Sequence, residues 1–219
     1  MEKYLDILKK CPLFLGIEDQ KLLKMLTCLG ATVEFYDKKY TVIAEGNRAR
    51  HVGIVLSGSV QIIQVDYNGN RSILSSVSPS ETFCEAFAAA ETDSVPISVI
   101  ANEPSYIMLI NCSHILHTCS NACGFHHQLI YNLMKDIATK NIILHQRLEI
   151  TSNRSTREKL LTYLSYQSKR AGSRTFDIPF DRQELADYLE VERSGLSNEI
   201  SKLRDEGILE SNRKHFILL

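Results

Sequence analysis

The spacing of apolar residues changes character several times along this chain. Near the start, residues 2–10 and 18–29 repeat apolar residues at helical intervals, and Leu22, Leu23, Met25, Leu26 and Leu29 gather on one face. Pro12 ends the first of these helices. From Val33 to about Ile110, short apolar runs take over, at 41–44, 52–56, 60–65 and 106–110, and each reads as a strand. Turn signals separate them: Glu45-Gly46-Asn47, Ser57-Gly58-Ser59, Asn68-Gly69-Asn70 and Ser78-Pro79-Ser80. Short strands at such close spacing predict an antiparallel sandwich or barrel, and Asn68-Gly69 predicts a tight hairpin.

A long helical pattern follows, from about Ala122 to Ile150, spanning about 43 Å at the α-helical rise. One row is Ile130, Met134, Ile137, Asn141, Leu144 and Leu148, in alternating steps of four and three. That is a heptad seam, and it predicts a two-stranded partner. Asn141 inside the seam costs stability but fixes register. A second apolar set, Leu129, Leu133, Ile142 and Ile143, is expected to cover the β-domain. Residues 151–155 are polar and read as a hinge. Thr156 to Lys169 is another helix with Leu160, Leu161 and Leu164 buried, and 176–180 is a short strand.

Residues 181–207 read as two short helices joined by a tight turn. Asp181 and Glu184 form a capping box, and Leu185, Ala186 and Leu189 make an apolar face. The second helix carries Leu196, Ile200 and Leu203 on one stripe, and Gly207 suits its C-terminal cap. Its other face holds Arg193, Ser194, Ser197, Asn198 and Lys202, short polar and basic groups suited to base edges in a major groove. Ile208–Glu210, a polar turn at 211–214 and His215–Leu219 then predict a two-stranded wing.

Composition narrows the picture. The chain has 219 residues, enough for two modest domains, with 44% apolar content to build cores. No apolar run approaches a membrane span, and MEKYLDILKK is no signal peptide, so no membrane partner is expected. Six scattered cysteines in a chain this large point to a reducing, cytoplasmic setting. Net charge is −1, and residues 151–219 hold 12 Lys and Arg against 11 Asp and Glu. DNA binding must therefore rest on one local face. A cupin-type metalloenzyme is disfavoured, because the strand region offers only His51. The remaining rival is a ligand-sensing adaptor without DNA binding.

This order of elements resembles the CRP/FNR superfamily of bacterial transcription regulators. The similarity rests on Arg182 to Ala186, on Arg193 to Leu203 with Glu206-Gly207, on Glu45-Gly46 and Leu56-Ser57-Gly58, and on Phe83-Cys84-Glu85. The fold class implied is α+β. A double-stranded β-helix or jelly-roll sensor domain like those that bind cyclic nucleotides would span 1–120. A dimerisation helix would span 121–150, and a winged helix-turn-helix 151–219. The resemblance implies a homodimer on palindromic double-stranded DNA, with RNA polymerase as a further partner if the protein activates. It places Arg182 and Gln183 at phosphates and Arg193, Ser194, Ser197 and Asn198 at bases. Relatives commonly carry Glu at Ser194 and Arg at Asn198, which implies a half-site of its own. Their turn glycine is Glu190 here, at an expected cost of about 1 kcal/mol for a positive φ.

The resemblance also locates a candidate effector pocket at Phe83, Cys84, Glu85, Ala86, Val95, Pro96, Ile142 and Ile143. Where nucleotide-binding relatives place Arg-Ser against the phosphate, this chain has Val95-Pro96, which offer no side-chain donor. No cyclic AMP or cyclic GMP binding is expected; the pocket holds another ligand or is filled. Cys11 and Cys28 are too few for an N-terminal iron–sulfur cluster. The alternative is a metal- or redox-sensing regulator using Cys112, His114, His117, Cys119, Cys123, His126 and His127, although buried cysteines and surface histidines explain that stretch more simply.

Overall fold

A computed structural model describes residues 1–65, 67, 71–117 and 125–219. The predicted Asn68-Gly69 hairpin, Cys119, Cys123 and the predicted helix start at Ala122 lie outside the described residues. The chain divides into two compact units, Met1–Thr139 and Lys140–Leu219. The division falls inside one helix rather than at the predicted boundaries of 121 and 151.

The first unit opens with two short helices, α1 (Leu5–Leu8) and α2 (Asp19–Cys28). The strands are β1 (Thr32–Tyr36), β2 (Thr41–Ile43), β3 (His51–Ser57), β4 (Val60–Val65), β5 (Arg71–Val77), β6 (Thr82–Phe83), β7 (Ser98–Ala101) and β8 (Ser105–Asn111). Helix α3 (Glu85–Ala89) follows β6, and α4 (Cys112–Leu116) follows β8. Among the described residues one sheet runs β1-β8-β3-β6 and the other β2-β7-β4-β5, with antiparallel pairing throughout. This is the predicted β-roll.

The period of two along a strand explains how the roll is built. In β3, Val52, Ile54 and Leu56 face a core shared with Leu22, Met25, Leu26 and Leu29 of α2, whereas Val55 faces the roll interior. In β8, Met108 and Ile110 join the first core and Ile107 the second. Gly53 faces inward as well, and a Cβ there would lie 2.1 Å from Phe83 Cζ. Only glycine leaves room for the tip of the ring at this point of the strand.

Helix α5 (His126–Ser152) closes the first unit and opens the second. Leu129 and Leu133 are buried in the first core, each stabilising it by about 1.5–3 kcal/mol. Polar bonds fix the helix's rotation. Asn132 Nδ2 donates to the carbonyls of Leu13 at 3.0 Å and Leu15 at 2.8 Å, and Thr82 Oγ1 donates to buried Asp136 at 2.6 Å. Ile137 packs partly against the same core. The buried face stops there, because the first unit ends at Thr139. The expectation that Ile142 and Ile143 extend it is therefore corrected: they are 58% and 54% exposed.

The second unit holds α6 (Thr156–Ala171), β9 (Thr175–Asp177), α7 (Arg182–Leu189), α8 (Arg193–Asp205), β10 (Leu209–Asn212) and β11 (His215–Leu218). The hinge expected at 151–155 is also corrected. Ile150 is buried among Leu160, Leu164 and Leu185, and Tyr166 donates its hydroxyl to Glu149. Asn153 Nδ2 donates to the Glu149 and Ile150 carbonyls and to Thr162. Ser155 then caps α6 through a capping box with Glu158. The segment is polar because its side chains satisfy two helix ends, which ties it down.

Candidate nucleic-acid interface

Helix α7 begins with the predicted box: Glu184 N–H donates to Asp181 at 2.9 Å, and Asp181 N–H donates to Glu184 Oε2 at 2.6 Å. Leu185, Ala186, Leu189, Leu196, Ile200 and Leu203 are buried in one core with Phe176, Leu209 and Phe216. Glu190 stands between the helices at φ +54°, the left-handed conformation that glycine adopts without strain. The chain then re-enters helix at Arg193. Gly207, at φ +71°, ends α8.

Burying one stripe of α8 leaves the other in water. Arg193, Ser194, Asn198 and Lys202 are exposed, and Ser197 is half-buried. The start of this helix is electrostatically unusual. Among the described residues Glu192 makes no side-chain cap and no acid stands in the first turn, yet Arg193 occupies the first position. A cation beside the positive end of a helix dipole costs rather than gains energy. Free N–H groups and a guanidinium at one point together form an anion site.

The wing completes it. Strands β10 and β11 pair from Leu209↔Leu218 to Asn212↔His215, leaving Arg213-Lys214 as the turn, with Arg213 at φ +53°. Strand β9 pairs with β11, and Lys214 donates to the Pro179 carbonyl at 2.7 Å. This register brings the turn to the start of α7 and α8. A cleft of about 600 Å³ results, lined by Asp181, Arg182, Gln183, Arg193, Arg213 and Lys214. Among the described residues four cations line it against one carboxylate, which is engaged in a helix cap.

Arg182, Gln183 and Arg193 thus line one cleft, and Arg182 is half-buried there. Its guanidinium lies 5.3 Å from the Phe216 ring centroid, with Nη2 3.4 Å from Ser211 Oγ, and burial pushes its pKa down. Gln183 is exposed and donates to Asp187 at 2.8 Å. Arg213 and Lys214 were not among the expected DNA contacts. The signal for them was present in the two adjacent cations between the predicted wing strands.

The roll residues behave differently. Phe83, Cys84 and Val95 are buried in the roll core with Tyr36, Val55, Val99 and Ile107. Cys84 takes φ +59°, where the Phe-Gly-Glu pattern has glycine, and its side chain fills space that glycine leaves open. Glu85 is buried, whereas Ala86 and Pro96 are exposed. Val95 N–H donates to the Asn47 carbonyl at 3.0 Å, and its own carbonyl accepts from Gly46 N–H at 2.9 Å. The remaining pocket candidates, Ile142 and Ile143, belong to the second unit.

On α5 the seam residues form an exposed apolar stripe. Met134, Leu144 and Leu148 are 66%, 58% and 63% exposed, Asn141 is exposed, and Ile130 and Ile137 are half-buried. The cysteine–histidine stretch separates into different environments. Cys112 is buried, and burial pushes its thiol pKa up to about 11, which disqualifies it as a ready thiolate. His126 is buried and His127 exposed. Among the described residues, no helix is long and apolar enough to cross a membrane.

Comparison with known proteins matches this architecture. Residues 33–121 fit the family model of the cyclic nucleotide-binding domain, and residues 158–219 fit that of the Crp-like helix-turn-helix domain. The transcriptional activator protein FnrA of Stutzerimonas stutzeri is 22% identical over 213 residues, covering 95% of this chain and 84% of FnrA. The transcriptional activator protein FnrL of Cereibacter sphaeroides is 21% identical over 199 residues, covering 84% of this chain and 75% of FnrL. The catabolite activator protein of Thermus thermophilus shares the fold, with a TM-score of 0.51 at 19% identity, covering 95% of this chain and 93% of that one.

Proposed function

This chain belongs to the CRP/FNR superfamily of DNA-binding transcription regulators, and from that premise we propose that it acts in the cytoplasm as a homodimer on a palindromic site. Helix α8 enters the major groove. Arg193, Ser194, Ser197, Asn198 and Lys202 face the bases, and Arg182, Gln183, Arg213 and Lys214 hold the flanking phosphates. The observation that carries this reading is the cationic cleft at the start of α8, where Arg182, Arg193, Arg213 and Lys214 converge. Selection from random duplexes, followed by gel shift, tests it. A single enriched palindrome is expected, and no enrichment would favour the adaptor that has lost DNA binding.

Pairing through Ile130, Met134, Ile137, Asn141, Leu144 and Leu148 covers the exposed stripe of α5 and presents two helix-turn-helix units to two half-sites. Leu148→Asp should convert the dimer to monomer by sedimentation and abolish tight operator binding.

The effector is something other than a cyclic nucleotide, or there is none. Val95 and Pro96 offer a phosphate no side-chain donor, and the Val95 N–H is already bonded to Asn47. A calorimetric isotherm with micromolar cyclic AMP would sink this assignment. RNA polymerase is a partner if the protein activates. No iron–sulfur cluster is part of the reading. A metal- or redox-sensing role for the whole Cys112–His127 stretch loses Cys112, whose thiol is buried and hard to ionise.

A further inference from the structure

Resting on the reading of this chain as a DNA-binding regulator, we propose that Asn198 fixes one base of each half-site as adenine, through two parallel hydrogen bonds in the major groove. At about 100° of turn per residue, Ser194, Asn198 and Asp205 lie within about 30° of the line opposite the buried stripe of Leu196, Ile200 and Leu203. Asp205 is the last residue of α8 and stands 3.8 Å from Arg204, and a carboxylate only accepts hydrogen bonds. Ser194 offers a single hydroxyl. Of the three, Asn198 alone carries a donor and an acceptor on two atoms of one planar group, the pair that matches adenine N7 and N6–H.

Two further observations support close approach of this amide to a base edge. Asn198 is exposed, and among the described residues its side chain makes no hydrogen bond within the chain. Short polar side chains elsewhere in the same unit are engaged: Thr151 donates to the Arg147 carbonyl at 3.0 Å, and Asn153 to the carbonyls of Glu149 and Ile150. The turn over which Asn198 leans is also bare. A helical side chain covers the turn before its own Cα, which here holds Ser194 and Gly195. Gly195 has no positive φ, and apart from its chain neighbours a Cβ there would meet only Glu192 Cβ, at 4.0 Å. Neither packing nor backbone geometry therefore requires glycine, which weakens a helix interior. Clearance accounts for it. Asparagine is short, so a two-point contact brings the helix backbone close to the base, and a long side chain at 195 would stand in between.

The test uses the full-length protein and the operator selected from random duplexes. Asn198 is exposed and alanine is the stronger helix former, so Asn198→Ala keeps the fold, which circular dichroism checks. Changing one A·T pair of a half-site to G·C should weaken wild-type binding about tenfold or more, and Asn198→Ala should lose the preference at that pair alone. Replacing the adenine by 7-deazaadenine, which lacks the N7 acceptor, should weaken the wild type and leave Asn198→Ala unaffected. Asn198→Arg should move the preference at the same pair to G·C, since arginine pairs with guanine O6 and N7. Unchanged base preferences in Asn198→Ala, or no effect of 7-deazaadenine at every adenine of the half-site, would overturn the adenine assignment and leave the regulator reading standing. Failure to enrich any duplex would overturn both.

Discussion

The roll and the winged helix differ sharply in what they leave open at the places where a phosphate was expected. At the roll's expected ligand loop, Phe83 lies against Gly53, Cys84 fills the position of a glycine, and the Val95 N–H is bonded to Asn47. At the start of α8 a cleft of about 600 Å³ stays open, and Arg182, Arg193, Arg213 and Lys214 line it. Each unit keeps its framework while its chemistry goes its own way. Function has to be argued from the donors left available at each site, because the fold does not supply it.

Removing what fills the roll is the largest test of this contrast. Phe83→Ala should cost about 3–5 kcal/mol of stability, since a buried ring is deleted and Gly53 cannot close the gap. Denaturant unfolding measures it. A loss under about 1 kcal/mol would mean that the ring is a movable plug over a ligand site rather than core.

In the winged helix the corresponding test is specificity. Arg193→Ala should lower discrimination by about 1–3 kcal/mol at one base position per half-site, with little change in folding stability. Binding to a panel of single-base operator variants checks this. An unchanged preference at every position would remove Arg193 from base reading and leave it at the phosphate backbone.

What was legible in advance follows the range of the interactions. The box at Asp181 and Glu184, the turn at Glu190 and the cap at Gly207 are set by neighbours within a few residues, and each is found where the pattern placed it. The strands at 51–57, 60–65 and 105–111 were legible because an apolar run between turn residues is a local signal. The cleft was only half legible. Arg182 and Arg193 stood out, but Arg213 and Lys214 join them through the pairing of β11 with both β10 and β9. The same limit misplaced the hinge, since the composition of 151–155 does not reveal that Asn153 bonds to Thr162. Ile142 and Ile143 were assigned to a buried face by period alone, and period does not say where the surface that a helix covers comes to an end.

The wing supplies a smaller, sequence-independent effect. Lys214→Ala should weaken binding to operator and to random DNA by a similar factor. It should also reduce the slope of log K against log salt by about 1 for each phosphate that a protomer no longer neutralises. Lys214 is a cleaner probe than Arg182, because Arg182→Ala also strips packing from Phe216. A specific loss confined to the operator would place Lys214 at a base instead.

The smallest expected effect concerns the turn that sets the two helices at their angle. Glu190 occupies φ +54° and ψ +55°, a conformation that costs a residue with a Cβ about 1–2 kcal/mol relative to glycine. Two interactions offset part of that cost. Arg147 Nη2 lies 3.8 Å from the Glu190 carboxylate, an exposed pair worth a few tenths of a kcal/mol. Lys159 Nζ donates to the Glu190 carbonyl at 3.3 Å, a bond that any residue there would keep. Glycine also loses more freedom on folding, which removes a further fraction of the gain. Glu190→Gly should therefore stabilise the second unit by under about 1 kcal/mol, read as a small rise in its unfolding midpoint with an unchanged denaturant slope. Its DNA affinity should not fall, since Glu190 is not among the residues that line the cationic cleft. A destabilised variant would show that the link to Arg147 outweighs the backbone strain, and that α5 is anchored to the turn through charge.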